Sequence, residues 1–178
     1  MNNIQNLYTS VVSTGRYDLT VATAINSELF VANLTPAEFL SRNKKIIDSC
    51  HLGDSINFSL YFMLKLKEYG LHSTMISTPE DDVQKVSVSY EKDGMWFVSD
   101  IIEDIKFLTN IENKHAEKHG FPATYQKGLR QDFIDHFSDH YAIPLDDFKK
   151  INEYVKMYAD IFWFEGKMSD FLKSGHLI

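Results

Sequence analysis

Cysteine is nearly absent from the chain: Cys50 is the only one in 178 residues. One thiol excludes an internal disulfide framework and fits a reducing compartment. Long apolar runs are missing too. No window approaches the roughly eighteen uninterrupted apolar residues of a membrane-spanning helix. Residues 1–6 carry neither a positive n-region nor an apolar h-region, so no secretory signal is expected. Basic residues are sparse, meeting only in pairs such as Lys44-Lys45 and Lys149-Lys150, and the net charge is −7. Phosphate binding needs a basic face, so nucleic acid is not an expected partner. There is no Gly-rich phosphate loop, no dinucleotide fingerprint and no HExxH motif, so no cofactor is expected. Repeats and low-complexity tracts are also missing. These absences lead to the expectation of a cytoplasmic protein that binds neither membrane nor nucleic acid.

The residues that are present suit a packed core. Apolar residues make up 44% and aromatic residues 13% of the chain, enough for one globular domain over residues 1–178. A helix is expected over residues 4–13, broken at Gly15. Residues 17–25 fit strand or helix equally well. Thr35-Pro36-Ala37-Glu38 carries a capping threonine, a proline at the first helical position and a capping-box glutamate, so a helix starts there and ends between Asp48 and Gly53. Residues 56–69 are apolar on nearly every face, as in a buried helix, with Asp54 or Ser55 as cap and Gly70 as terminator. A strand-like run follows at residues 71–77, then a polar loop at Pro79-Glu80-Asp81-Asp82. Val86, Val88 and Tyr90 alternate with serines, and an Asp93-Gly94 turn leads into a partner strand at residues 95–98. Helices are expected over residues 101–118, 129–141 and 145–164, with a last turn at residues 168–172. The plan is α+β, a small antiparallel sheet flanked by helices.

Residues 53–100, in the order turn, buried helix, strand and hairpin ending in an aspartate, resemble the transglutaminase-like (papain-like) core. In that family a cysteine opens the helix, a histidine opens the first hairpin strand and an aspartate closes the second. The corresponding places here are Ser55, Lys85 and Asp100; Ser59 stands one turn after the nucleophile's place, and Trp96 where an aromatic often precedes the aspartate. The resemblance implies a buried central helix packed on a small antiparallel sheet, with the core at about residues 36–100 and a helical C-terminal extension at about 101–178. It also implies a degenerate triad, because thiol catalysis needs the thiolate, its imidazole partner and the aspartate as a unit.

Three readings follow. The first is a domain that has lost catalysis and binds a peptide or protein partner in the former active-site cleft; a non-enzyme is therefore favoured. The second is an active hydrolase or acyltransferase of the same fold that uses Ser55, with Lys85 as base, or Cys50. The third is an assembly protein that self-associates through its C-terminal helices. Each site residue also has a plainer role: Ser55 as a helix-terminal hydroxyl, Lys85 as a solvated charge beside Glu80, Asp100 as a helix cap, Cys50 as a small core residue. His115 with His119 and His136 with His140 stand four residues apart, a spacing able to bind a transition metal on a helix. They lack the zinc-protease pattern, and no metal is assigned. The run Ile161-Phe162-Trp163-Phe164 is expected in the core.

Overall fold

The computed structural model describes residues 3–80, 83–148, 152–153, 161–162 and 164–173. In chain order the elements are α1 (Asn3–Thr14), β1 (Arg16–Tyr17), α2 (Leu19–Val31), α3 (Pro36–Cys50), β2 (Leu52–Gly53) and α4 (Ser55–Glu68). Then follow β3 (Ser73–Glu80), β4 (Val83–Lys92), β5 (Met95–Ser99), α5 (Ile101–His119), α6 (Lys127–His136), β6 (Ile143–Pro144), β7 (Asn152–Glu153) and α7 (Met168–Lys173). The class is α+β. β3, β4 and β5 form an antiparallel meander inside a five-stranded sheet of order β6-β5-β4-β3-β7. Residues 17–25, open in the sequence, divide: β1 pairs in parallel with β2, and α2 follows.

α4 is the buried helix. Phe58, Leu60, Phe62, Met63 and Leu66 are all 1% exposed or less, and the helix packs on α3, β3 and β4. Its start is fixed by Asp54, whose Oδ1 accepts the Asn57 N–H at 2.8 Å while Asn57 Oδ1 accepts the Asp54 N–H at 3.1 Å. Asn57 also hydrogen-bonds to Asn26 and Asn43, which ties α4 to α2 and α3. Thr35 and Glu38 form the expected capping box on α3. The β4–β5 turn places Asp93 at φ 53° and Gly94 at φ 76°, both in the left-handed region that a two-residue hairpin turn requires.

Several sequence expectations are corrected. β3 runs on through Pro79 and Glu80, paired with Gln84 and Val83, so these two residues are strand and not loop. Among the described residues β7 pairs with β3 at Ile76 and Ser77. Asp81 and Asp82 lie outside the described residues. α6 stops at His136, short of the expected Tyr141. The helix expected over residues 145–164 is not formed where the chain is described. Pro144 belongs to β6, the Leu145 N–H donates to Trp96 O, and Asn152 and Glu153 are strand. Pairing with the two sheet edges overrides the local periodicity. Lys149, Lys150, Ile151, Tyr154, Val155, Tyr158 and Trp163 lie outside the described residues; Ile161 is buried, and Phe162 and Phe164 are half-buried. Among the described residues no helix is long and apolar enough to cross a membrane.

Candidate functional site

Four residues separate α4 from β3, and α4 packs on β2, β3 and β4. Ser55 is the first residue of α4 and is half-buried. The cap is Asp54, and the reading of Ser55 as the capping hydroxyl is set aside. Lys85 lies in β4 opposite Thr78 of β3, and Asp100 follows β5 directly. The two meet: Lys85 Nζ donates to Asp100 Oδ2 at 3.0 Å, with side chains 29% and 13% exposed. Ser87 Oγ lies 3.5 Å from Asp100 Oδ1. Asp100 makes no side-chain cap bond to α5, so its expected capping role is replaced by this partly buried ion pair. Among the described residues no hydrogen bond joins Ser55 to either partner. Trp96 stacks on Phe148 with ring centroids 4.3 Å apart.

One helical turn after Asp100 stands a second carboxylate, which the sequence reading missed. Asp104 is 6% exposed. Its Oδ2 accepts the Tyr8 hydroxyl at 2.6 Å and lies 2.9 Å from His140 Nδ1. The carboxylate is the acceptor, so Nδ1 carries the proton and Nε2 faces away from the pair. The Asp100 N–H donates to His140 O at 3.0 Å, joining the two carboxylate clusters through one backbone bond. Burial raises the Asp104 pKa above the usual carboxylate range, against the hydrogen bonds from Tyr8 and His140; the charge on Asp100 pushes the same way as burial. Burial, then the charge of Asp104, holds the Tyr8 phenol protonated well above its ordinary range. The rings of Phe137 and Phe133 lie 4.8 and 6.2 Å from that of His140. An imidazole oriented by a buried carboxylate is the arrangement that fixes the tautomer of a general base.

This pairing corrects the spacing argument for His136 and His140. α6 ends at His136, which is exposed, so His140 does not follow it on one helix face. His115 and His119 do share a face of α5, with ring centroids 4.4 Å apart. Among the described residues no group of three or more histidine, cysteine or acidic side chains is placed to hold a metal.

Cys50 is the last residue of α3 and is exposed, not a core residue. The adjacent His51 takes a left-handed backbone (φ 56°), which closes α3 and directs its ring to Thr14, with Nδ1 and Oγ1 3.4 Å apart. Beside His51 a cavity of about 210 Å³ opens between α1, α3 and α4.

The sequence also gave no warning of Arg130 and Glu112. Both are fully buried. Arg130 Nε donates to Glu112 Oε2 at 3.2 Å and Nη2 to Oε1 at 2.5 Å, while Nη1 donates to the Val12 and Gly15 carbonyls. The pair joins α6, α5 and the end of α1. Both stand on the buried faces of their helices, Glu112 between Leu108 and Ala116 and Arg130 beside Ile134.

No family model, no curated protein and no solved structure matches this chain.

Proposed function

We propose that the chain is a transglutaminase-like domain with a degenerate triad, which binds a peptide or protein partner in the cleft at the former active site. The order α4–β3–β4–β5 supports this reading: a buried helix leads into an antiparallel meander that ends on an aspartate. The observation that carries it is the Lys85–Asp100 pair at 3.0 Å. A partner is present for the aspartate, in the place where the family puts an imidazole, but it is a lysine that donates to the carboxylate. An ammonium has three donors and no lone pair with which to accept a proton from Ser55. A serine hydroxyl without a base is a weak nucleophile. What remains is a half-buried charged pair beside Ser87, suited to recognising a polar backbone rather than cleaving it.

The test is fluorescence anisotropy of a labelled library of short unstructured peptides against the whole chain, with mass spectrometry of the same mixtures. The expected result is saturable binding that weakens at least tenfold in Lys85→Glu, with no cleaved or acylated product. Equal binding by that variant, or product that disappears in Ser55→Ala, overturns the reading.

A second reading rests on the Asp104–His140 pair. An oriented imidazole near Asp100 favours an acyl-transfer enzyme that uses His140 in place of the missing histidine. It requires p-nitrophenyl ester turnover by the wild type that both His140→Ala and Ser55→Ala abolish.

A further inference from the structure

The hydroxyls lining the cavity between α1, α3 and α4 all have their protons committed. Ser10 Oγ donates its proton to Leu7 O at 3.0 Å, and Thr14 Oγ1 donates to Ser10 O at 3.1 Å. The Tyr61 hydroxyl donates to Asp48 Oδ1 at 2.7 Å. Thr14 Oγ1 also lies 3.4 Å from His51 Nδ1. Backbone donors at the rim are committed as well: the Gly15 N–H to Val11 O at 2.7 Å and the His51 N–H to Ile47 O at 2.9 Å. Ser10, Thr14, Tyr61 and Asp48 therefore all present acceptors.

Asp48 adds the charge. Burial raises its pKa, but the bonds from Tyr61 and Lys44 outweigh it and hold the carboxyl below the usual range. Lys44 pairs with the other oxygen, Oδ2, at 3.0 Å; among the described residues Oδ1 has one hydrogen-bond donor, Tyr61, and Lys65 also bears on the carboxylate. The apolar part of the lining is Val11, Ile47 and Phe58, each 7% exposed or less. Gly15 closes the bottom; a Cβ there would stand 2.7 Å from Val11 O. At about 210 Å³ the space falls below the roughly 300–1,000 Å³ of drug-sized sites.

We infer that this cavity binds a small organic cation, a primary ammonium or guanidinium on a short aliphatic stem, its head among these acceptors and its stem on Val11, Ile47 and Phe58. Several hydroxyl acceptors and one carboxylate match the multiple donors and positive charge of such a head, whereas a neutral alcohol brings a single donor and no charge. The ring of Phe58 adds a face that attracts cations; that of Tyr61 already has Lys65 Nζ over it at 5.9 Å. The site is separate from the Lys85–Asp100 pair and does not depend on the reading given to that pair. The same chemistry comes from two sources, a free small amine or the side chain of a lysine or arginine in a polypeptide.

Isothermal titration calorimetry of the whole chain with n-pentylamine, n-butylguanidine, 1-pentanol and Nα-acetyl-lysine amide tests it. Pentylamine or butylguanidine is expected to bind at least tenfold more tightly than pentanol, and Asp48→Asn to lose at least tenfold. Acetyl-lysine amide that binds as well as pentylamine assigns the site to a polypeptide side chain; exclusion of it assigns the site to a free amine. Should Asp48→Asn lose its fold by circular dichroism, Ser10→Ala with Thr14→Val takes its place, with a loss of several-fold expected. Equal binding of pentylamine and pentanol, no saturable heat with either cation, or cation binding that both variants leave unchanged overturns the assignment.

Discussion

Replacing Glu112 by Gln removes one charge from a pair with no exposed surface and leaves the Arg130 guanidinium buried without a counter-ion. Glu112 accepts from Arg130 Nε at 3.2 Å, from Nη2 at 2.5 Å and from the Gln126 N–H at 2.7 Å. Breaking a buried pair from one side costs about 3–5 kcal/mol, because the surviving charge stays desolvated. Arg130→Met is expected to cost a similar amount: it leaves the carboxylate with the Arg16 guanidinium at 3.8 Å and the Gln126 N–H, and unpairs the Val12 and Gly15 carbonyls. The double variant leaves no isolated charge, so its cost is expected to fall short of the sum of the singles by about 1–3 kcal/mol. Urea denaturation followed by circular dichroism reads this directly. With a slope near 2 kcal/mol per molar, each single variant lowers the midpoint by roughly 1.5–2.5 M. Single variants within about 0.5 kcal/mol of wild type, or a strictly additive double, refute the claim that this pair fastens α6 to α1 and α5.

Two further outcomes follow from the packing around Gly15 and Tyr8. Gly15→Ala brings a Cβ to 2.7 Å from the Val11 carbonyl and 3.3 Å from Ile105 and Phe58; a loss of about 1–3 kcal/mol in the same denaturation is expected, and a neutral result contradicts the close approach. The Tyr8 phenol stays protonated in the fold to higher pH than in the unfolded chain. Its contribution is therefore complete below the unfolded value near 10. Above it the difference between wild type and Tyr8→Phe is expected to fall by about 1.4 kcal/mol per pH unit. A difference that stays flat from pH 9 to 11 contradicts the buried Tyr8–Asp104 bond.

Local chemistry was readable wherever the interaction spans a few residues. Thr35 and Glu38, Asp93 and Gly94, and the all-round apolar α4 each announce themselves within one turn or one hairpin. Partners far apart in sequence left no such trace. Tyr8 and Asp104 stand 96 residues apart and Arg130 and Val12 118, and no spacing rule connects them. The same limit explains residues 145–164: Pro144 and Asn152 are recruited to the edges of a sheet formed elsewhere, and a helical period cannot report that competition. At the candidate site, Ser55, Lys85 and Asp100 were named from the resemblance alone. That Lys85 would hold Asp100, and that His140 would find Asp104, depended on the fold.

The most direct measurement builds the triad that the proposed function implies. In a Cys50→Ser background, Ser55→Cys alone and Ser55→Cys with Lys85→His are alkylated with iodoacetamide between pH 5 and 8. A thiol at the start of α4 with an imidazole held by Asp100 has its thiolate favoured by both the helix and the imidazolium. The expected result is alkylation at least about tenfold faster near pH 6 in the double replacement than in Ser55→Cys alone, an advantage that Asp100→Ala removes. Equal rates across that range contradict the placement of Ser55, Lys85 and Asp100 as a former catalytic triad.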